Sequence, residues 1–164
     1  MTKPLIKAVT LIIMIAYLYI LTNLVFIRNH TIEMIISQFN WKIENYQWLS
    51  VNFIPFKTIS YYLFVSDVPV FVRVENVIGN IIAFVPFGFL LPLLSKKFSK
   101  LSSVTIATFC LSLTYEILQF LFSLGSFDVD DLLLNTIGGL VGYMTIAFVS
   151  RYITKKGSIQ WRGY

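Results

Sequence analysis

Carboxylates sit inside and between two greasy segments of this chain, where a purely solubilising role is hard to assign. The first segment ends Ser112-Leu-Thr-Tyr-Glu116-Ile-Leu-Gln119-Phe, the second opens Leu132-Leu-Leu-Asn135, and an acidic turn, Phe127-Asp128-Val-Asp130-Asp131, joins them. Ser112, Glu116 and Gln119 recur at i, i+4 and i+7 and so share one helix face; Asn135, Gly139 and Gly142 do the same on the next helix. A charge at the bilayer centre costs about 2.5–3.5 kcal/mol on insertion scales, so such residues face a bundle interior or a wet cavity. In a cavity, Glu116 or Asp131 could serve as a general base. Asn76, Asn80, Gln119, Asp128, Asp130 and Asn135 would complete a binding surface around them. With no useful His or Cys, the set offers hard oxygen ligands, which suit magnesium or calcium better than zinc if a metal binds. Two plainer roles compete: Glu116 as glue between helices, bonded to Asn80 or Asn135, and Asp131 as a cap on the following helix.

The elements that must position these groups follow from composition. The chain has 164 residues, 57% hydrophobic and 13% charged, with mean hydropathy +0.76. Soluble domains carry about 25% charge, so these values define a membrane protein. Four apolar stretches, about 5–27, 76–94, 103–122 and 132–149, are each close to the roughly 20 residues that cross the hydrocarbon. The expected fold is all-α: four transmembrane helices in one bundle, forming a single membrane domain over 1–164. The first stretch is too long for the apolar core of a secretory signal and lacks a small-x-small cleavage site.

Between the first two spans, residues 28–75 mix charges with aromatics and form an expected outer loop. Ile32 to Phe39 suits an interfacial helix there, and Asn52-Phe-Ile-Pro55-Phe reads as a turn. Lys57 and Arg73 in this loop could meet a phosphate headgroup or act only as surface counter-charges. Pro86 and Pro92 remove backbone donors inside the second span and predict a kink near Phe84 to Gly88. Gly138 and Gly142 form a small-xxx-small pattern that admits a neighbouring helix closely.

Orientation comes from counting Lys and Arg near the span ends: two at the N-terminus, three in the 95–102 hinge, four at the C-terminus and none in the 123–131 turn. Positive-inside bias puts both termini and the hinge in the cytoplasm and the acidic turn outside. Asn76 and Asn80 then enter from the outer side, Glu116 lies about 9 Å below the outer end of its helix at the helical rise, and Asn135 is one turn from Asp131. The strongly polar residues of the last three spans thus converge on the outer half. The net charge of +5 falls between apolar runs rather than along one exposed face, which argues against nucleic acid as a partner. No nucleophile elbow, zinc-protease motif or phosphate loop is present. His30 has no partner motif, and Cys110, the lone cysteine, reads as a small buried hydrophobe.

At these residues the sequence resembles the VanZ-like family of bacterial membrane proteins. The matching blocks are Asn52-Phe-Ile-Pro55-Phe, Asn76 to Pro92, Ser112 to Gln119, and Phe127 to Tyr143, in the family's order. The resemblance implies a four-to-five-helix protein of the bacterial cytoplasmic membrane, and the family is named for raising resistance to teicoplanin and related glycopeptides. It also implies that Asn76, Asn80, Glu116, Gln119, Asp128, Asp130, Asp131 and Asn135 are the family's polar motif positions. The chain departs at Ser126, where many relatives carry Arg, so the acidic turn supplies no cation of its own. The expected partners are membrane lipids or lipid-linked cell-wall intermediates. The site would bind such a headgroup or, alternatively, modify it enzymatically.

Overall fold

The computed structural model describes residues 3–26, 51–65, 67, 69–122 and 124–155. Five α-helices appear among them: α1 (Lys3–Phe26), the short α2 (Lys57–Ser60) running into a π turn at Tyr61–Val65, α3 (Val70–Leu94), α4 (Leu101–Leu121) and α5 (Val129–Lys155). A 3-10 turn, Lys96–Phe98, links α3 to α4. Four helices are long and apolar enough to cross a membrane, over Pro4–Phe26, Val70–Leu94, Leu101–Leu121 and Val129–Tyr152. They pack together as the all-α bundle expected from the hydropathy. The interfacial helix expected at Ile32 to Phe39, and His30, lie outside the described residues.

Two helices begin earlier than hydropathy alone suggests. α3 starts at Val70, behind Pro69 at its N-cap, because Arg73 and Glu75 interrupt the apolar run without breaking the backbone periodicity. α5 starts at Val129, which draws Asp130 and Asp131 into its first turn. Acidic residues are favoured there by the exposed amides and the positive end of the helix dipole. α3 runs through both Pro86 and Pro92 as one helix.

Glycines set the tightest seam. The most extensive contact is between α3 and α5, and their backbones nearly touch. A Cβ on Gly142 would fall 2.0 Å from the Val85 carbonyl oxygen, and one on Gly88 1.9 Å from that of Gly139. No side chain fits at either point, so the close approach depends on residues without one. α1 leans on α3 and α4 through two apolar clusters, Met14 with Phe87, Leu90, Leu91 and Val104, and Leu21 with Phe84 and Tyr115.

Few apolar side chains are buried, whereas Ile12, Tyr19, Ile82, Ile106 and Phe148 are each more than 60% exposed. An apolar exterior of that extent belongs in lipid, where helices are held by packing and polar contacts instead of by exclusion of water. Cys110 is also exposed, contrary to its expected burial. It stands on the outward side of α4, where lipid tails can solvate a thiol as readily as a protein core does.

Candidate functional site

The polar residues gather at the end of the bundle where α3 and α5 begin and α4 finishes. Three rungs tie α4 to α5 and to the residue just before it on the way there. Gly139 faces Thr108 so closely that a Cβ would lie 2.3 Å from the Thr108 hydroxyl oxygen; Asn135 Nδ2 donates to Ser112 Oγ at 2.8 Å; and the Asp128 amide donates to Glu116 Oε2 at 2.9 Å. The i, i+4 spacing of Thr108, Ser112 and Glu116 makes this ladder, since it keeps all three on one helix face.

Asp128 and Asp130 fasten the segment before α2 against the start of α5. Asp130, with no exposed surface, accepts the amides of Phe56 at 2.5 Å, Thr58 at 2.7 Å and Ile59 at 3.1 Å. Its carboxylate therefore caps a helix far away in sequence, supplying acceptors for the amides that α2 leaves unpaired. Asp128 accepts from Asn52 Nδ2 at 2.8 Å, from the Thr58 hydroxyl at 2.5 Å and from the Asp130 amide at 2.8 Å. Asn52 and Asp128 also form an isolated parallel bridge, with Asn52 N donating to Phe127 O at 2.8 Å and Val129 N to Asn52 O at 3.0 Å. Held this way, Phe56 adopts the left-handed conformation, φ 66° and ψ 3°. For a bulky residue that conformation costs about 1–3 kcal/mol, which the clasp must offset.

Behind the clasp opens a cavity of about 340 Å³, lined by Leu24 and Val25 of α1, Asn76, Asn80, Ala83 and Phe84 of α3, Tyr115, Glu116 and Gln119 of α4, the corner Leu124-Gly125-Ser126, and Asp131 and Asn135 of α5. Its size falls at the lower end of the range for small-ligand pockets. A smaller cavity of about 150 Å³ lies beside it, reaching Thr58, Tyr62 and Asp128. Asn76, Ser126 and Asp131 line both and form the partition.

Inside the larger cavity the polar groups are only partly satisfied. Asp131 Oδ1 accepts from Asn80 Nδ2 at 2.6 Å and Glu116 Oε2 from the Asp128 amide; no partner engages the second oxygen of either among the described residues. Glu116 is 3% and Asn135 6% exposed, and Asn135 Oδ1 is buried without a hydrogen-bond partner. Leaving a buried acceptor unpaired costs about 1–3 kcal/mol, so natural structures rarely do so without cause. Asn76 turns its amide back to Val72 O of its own helix at 2.7 Å, and Gln119 donates to Val25 O at 3.2 Å, closing the α1 side. Two more contacts hold α1: Tyr17 to Ala83 O at 2.7 Å and Thr22 with the Tyr115 hydroxyl at 3.0 Å.

Of the eight residues singled out from sequence, Asn76, Asn80, Glu116, Gln119, Asp131 and Asn135 line one cavity. Asp128 lines its neighbour, and Asp130 is locked into the clasp. Among the described residues no group of three His, Cys, Asp or Glu side chains converges to hold a metal ion, because backbone amides already occupy two of the three Asp carboxylates. The side chains of Asn52, Thr58, Tyr115 and Ser126 also shape the site, yet none was singled out for it. Asn52 could have been: its Oδ1 takes the Ile54 amide at 3.1 Å, the Asx turn that an Asn two residues before an Ile-Pro step invites.

A four-helix bundle with a lipid-facing exterior and a polar chamber at one end defines a small polytopic membrane protein. The sequence matches the VanZ/LLP1 family over residues 12–150, and the chain belongs to that family. It is similar to Protein VanZ of Enterococcus faecium, with 31% identity over 114 residues, which is 70% of this chain and 63% of that protein. The chain thus spans just under two thirds of that relative's length. No solved structure matches.

Proposed function

We propose that the chamber faces the outer side of the bacterial cytoplasmic membrane and binds the headgroup of a membrane lipid or a lipid-linked cell-wall intermediate. In doing so the protein lowers susceptibility to teicoplanin-type glycopeptides, as the family resemblance implies. The observation that carries this reading is a set of acceptors lining one cavity that have no partner among the described residues: Asn135 Oδ1 and the second oxygens of Glu116 and Asp131, whose first oxygens are engaged by the Asp128 amide and Asn80. They can receive hydroxyl or ammonium donors from a ligand that enters along the bilayer surface. The outward orientation is supported by charge, since Lys and Arg cluster at the opposite end.

The test is a pair of near-isosteric changes, Glu116→Gln and Asp131→Asn, each followed by teicoplanin tolerance and by the amount of protein in the membrane. Lowered tolerance at normal membrane levels is expected. Unchanged tolerance in both would remove the chamber from the function.

A second reading, catalysis on a lipid or glycolipid headgroup, has its own support. Glu116 and Asp131 line the same cavity, each with one oxygen that has no partner among the described residues, as a general base would need, and a magnesium or calcium ion would have to be completed by amide or ligand oxygens. Lipid profiles of deletion and overexpression strains separate the two readings: a species that appears or vanishes means turnover, and unchanged profiles mean binding alone.

A further inference from the structure

The opposite end of the bundle has a cavity of its own, and its chemistry is reversed. A groove of about 570 Å³ runs between the start of α1 and the end of α3, lined by Pro4, Ile6, Lys7, Leu93, Leu94, Ser95, Lys96 and Lys97. We propose that it is a binding site for an anionic phospholipid, whose phosphate sits among Lys7, Lys96 and Lys97 while an acyl chain follows the apolar groove wall.

Three observations carry this. First, the lysines come from two separate elements and line one cavity, so they act together on a single ligand. Second, the backbone that carries two of them is held in place. The link from α3 to α4 is a 3-10 turn in which Ser95 Oγ accepts the Lys97 amide at 3.3 Å and Ser95 O accepts the Phe98 amide at 3.0 Å. Tyr143 of α5 ties the same turn down by donating to Ser99 O at 2.7 Å. Lys96 and Lys97 therefore start from a rigid backbone at the helix end, and less freedom is lost on binding than for a loose basic tail. Third, no counter-charge competes: the chain has no Asp or Glu in 3–26, 76–115 or 132–155, ranges that contain every residue lining the groove. Lys100 and Arg151 add to the positive field without lining the groove.

A lipid fits better than a free anion because half of the lining is apolar and because Leu5 and Leu11 stand exposed nearby on α1, where acyl chains would already lie. Each Lys near an anionic bilayer surface raises affinity by a factor of about five, and the gain fades at high salt. The site is remote from the acidic chamber, so its failure would leave the proposed function standing, and the reverse also holds.

The full chain in detergent, titrated with phosphatidylglycerol or phosphatidylcholine of matched acyl chains and read by native mass spectrometry, tests the proposal. Phosphatidylglycerol should be retained at least about fivefold better, the factor for a single Lys. Combining Lys7→Gln, Lys96→Gln and Lys97→Gln should bring it down to the phosphatidylcholine level. A control combining Lys100→Gln and Arg151→Gln, with a folded state verified by circular dichroism for every variant, should stay within about twofold of the parent, because charges outside the groove act only at long range. Equal retention of the two lipids would overturn the proposal. So would an equal loss in the control, which would mean diffuse attraction, or displacement of the lipid by millimolar inorganic phosphate, which would mean a simple anion site.

Discussion

Asp128 and Asp130 stand beside Asp131 in sequence, within a few ångströms of chain, yet the two pairs of carboxylates at this end of the bundle do opposite work. Asp128 and Asp130 have every oxygen engaged, mostly by main-chain amides and by Asn52 and Thr58. Glu116 and Asp131 line a cavity and each have one oxygen engaged among the described residues. Residue type and proximity do not separate the pairs. What does is where the neighbouring amides point: a carboxylate that completes a backbone is architecture, and one left half-satisfied beside empty space is available to a ligand.

Substitutions can break this contrast. The largest effect should come from Gly142→Leu, which removes the frame under both pairs. Even its Cβ would meet the Val85 carbonyl oxygen at 2.0 Å, so α3 and α5 must part at a cost of at least about 3 kcal/mol, visible as a collapse of the melting transition in micelles. Next comes Asp130→Asn, expected to cost about 3 kcal/mol: both oxygens accept from backbone amides, so an NH2 group must face a donor. Asp128→Asn should be milder, about 1 kcal/mol, because the partner of its Oδ2 is the Thr58 hydroxyl, which can accept as well as donate. If the melting points rank Asp128→Asn below Asp130→Asn, the clasp is misassigned.

The smallest effect on stability belongs to the other pair. Glu116→Gln and Asp131→Asn each keep the one acceptor that the protein uses, so melting should move by less than about 1 kcal/mol equivalent while teicoplanin tolerance falls. A large loss of stability in either would erase the distinction and make these residues structural too.

The bundle was legible in the sequence because it rests on hydropathy and length, which act residue by residue. So was the gathering of Asn80, Glu116, Asp131 and Asn135 at one end, since helical spacing and alternating span direction dictate it. The division of labour among the acids was not. It depends on Asn52 and the 56–59 amides folding back onto α5, a contact across more than 70 residues that no local pattern announces. The early start of α5 was hidden for a related reason: hydropathy counts Asp130 and Asp131 as a break, whereas the helix backbone takes them as favoured first-turn residues.

The glycine seam between α3 and α5 also decides where the chamber can change. The seam lies deeper in the bundle than the chamber and admits no added atoms at Gly88 or Gly142, so a bulkier residue there would prise apart the two helices that carry Asn80, Asp131 and Asn135. Changes to the chamber's shape are therefore left to α1, through Leu24 and Val25, and to the corner Leu124-Gly125-Ser126. Relatives that handle different molecules should diverge there while leaving the seam untouched.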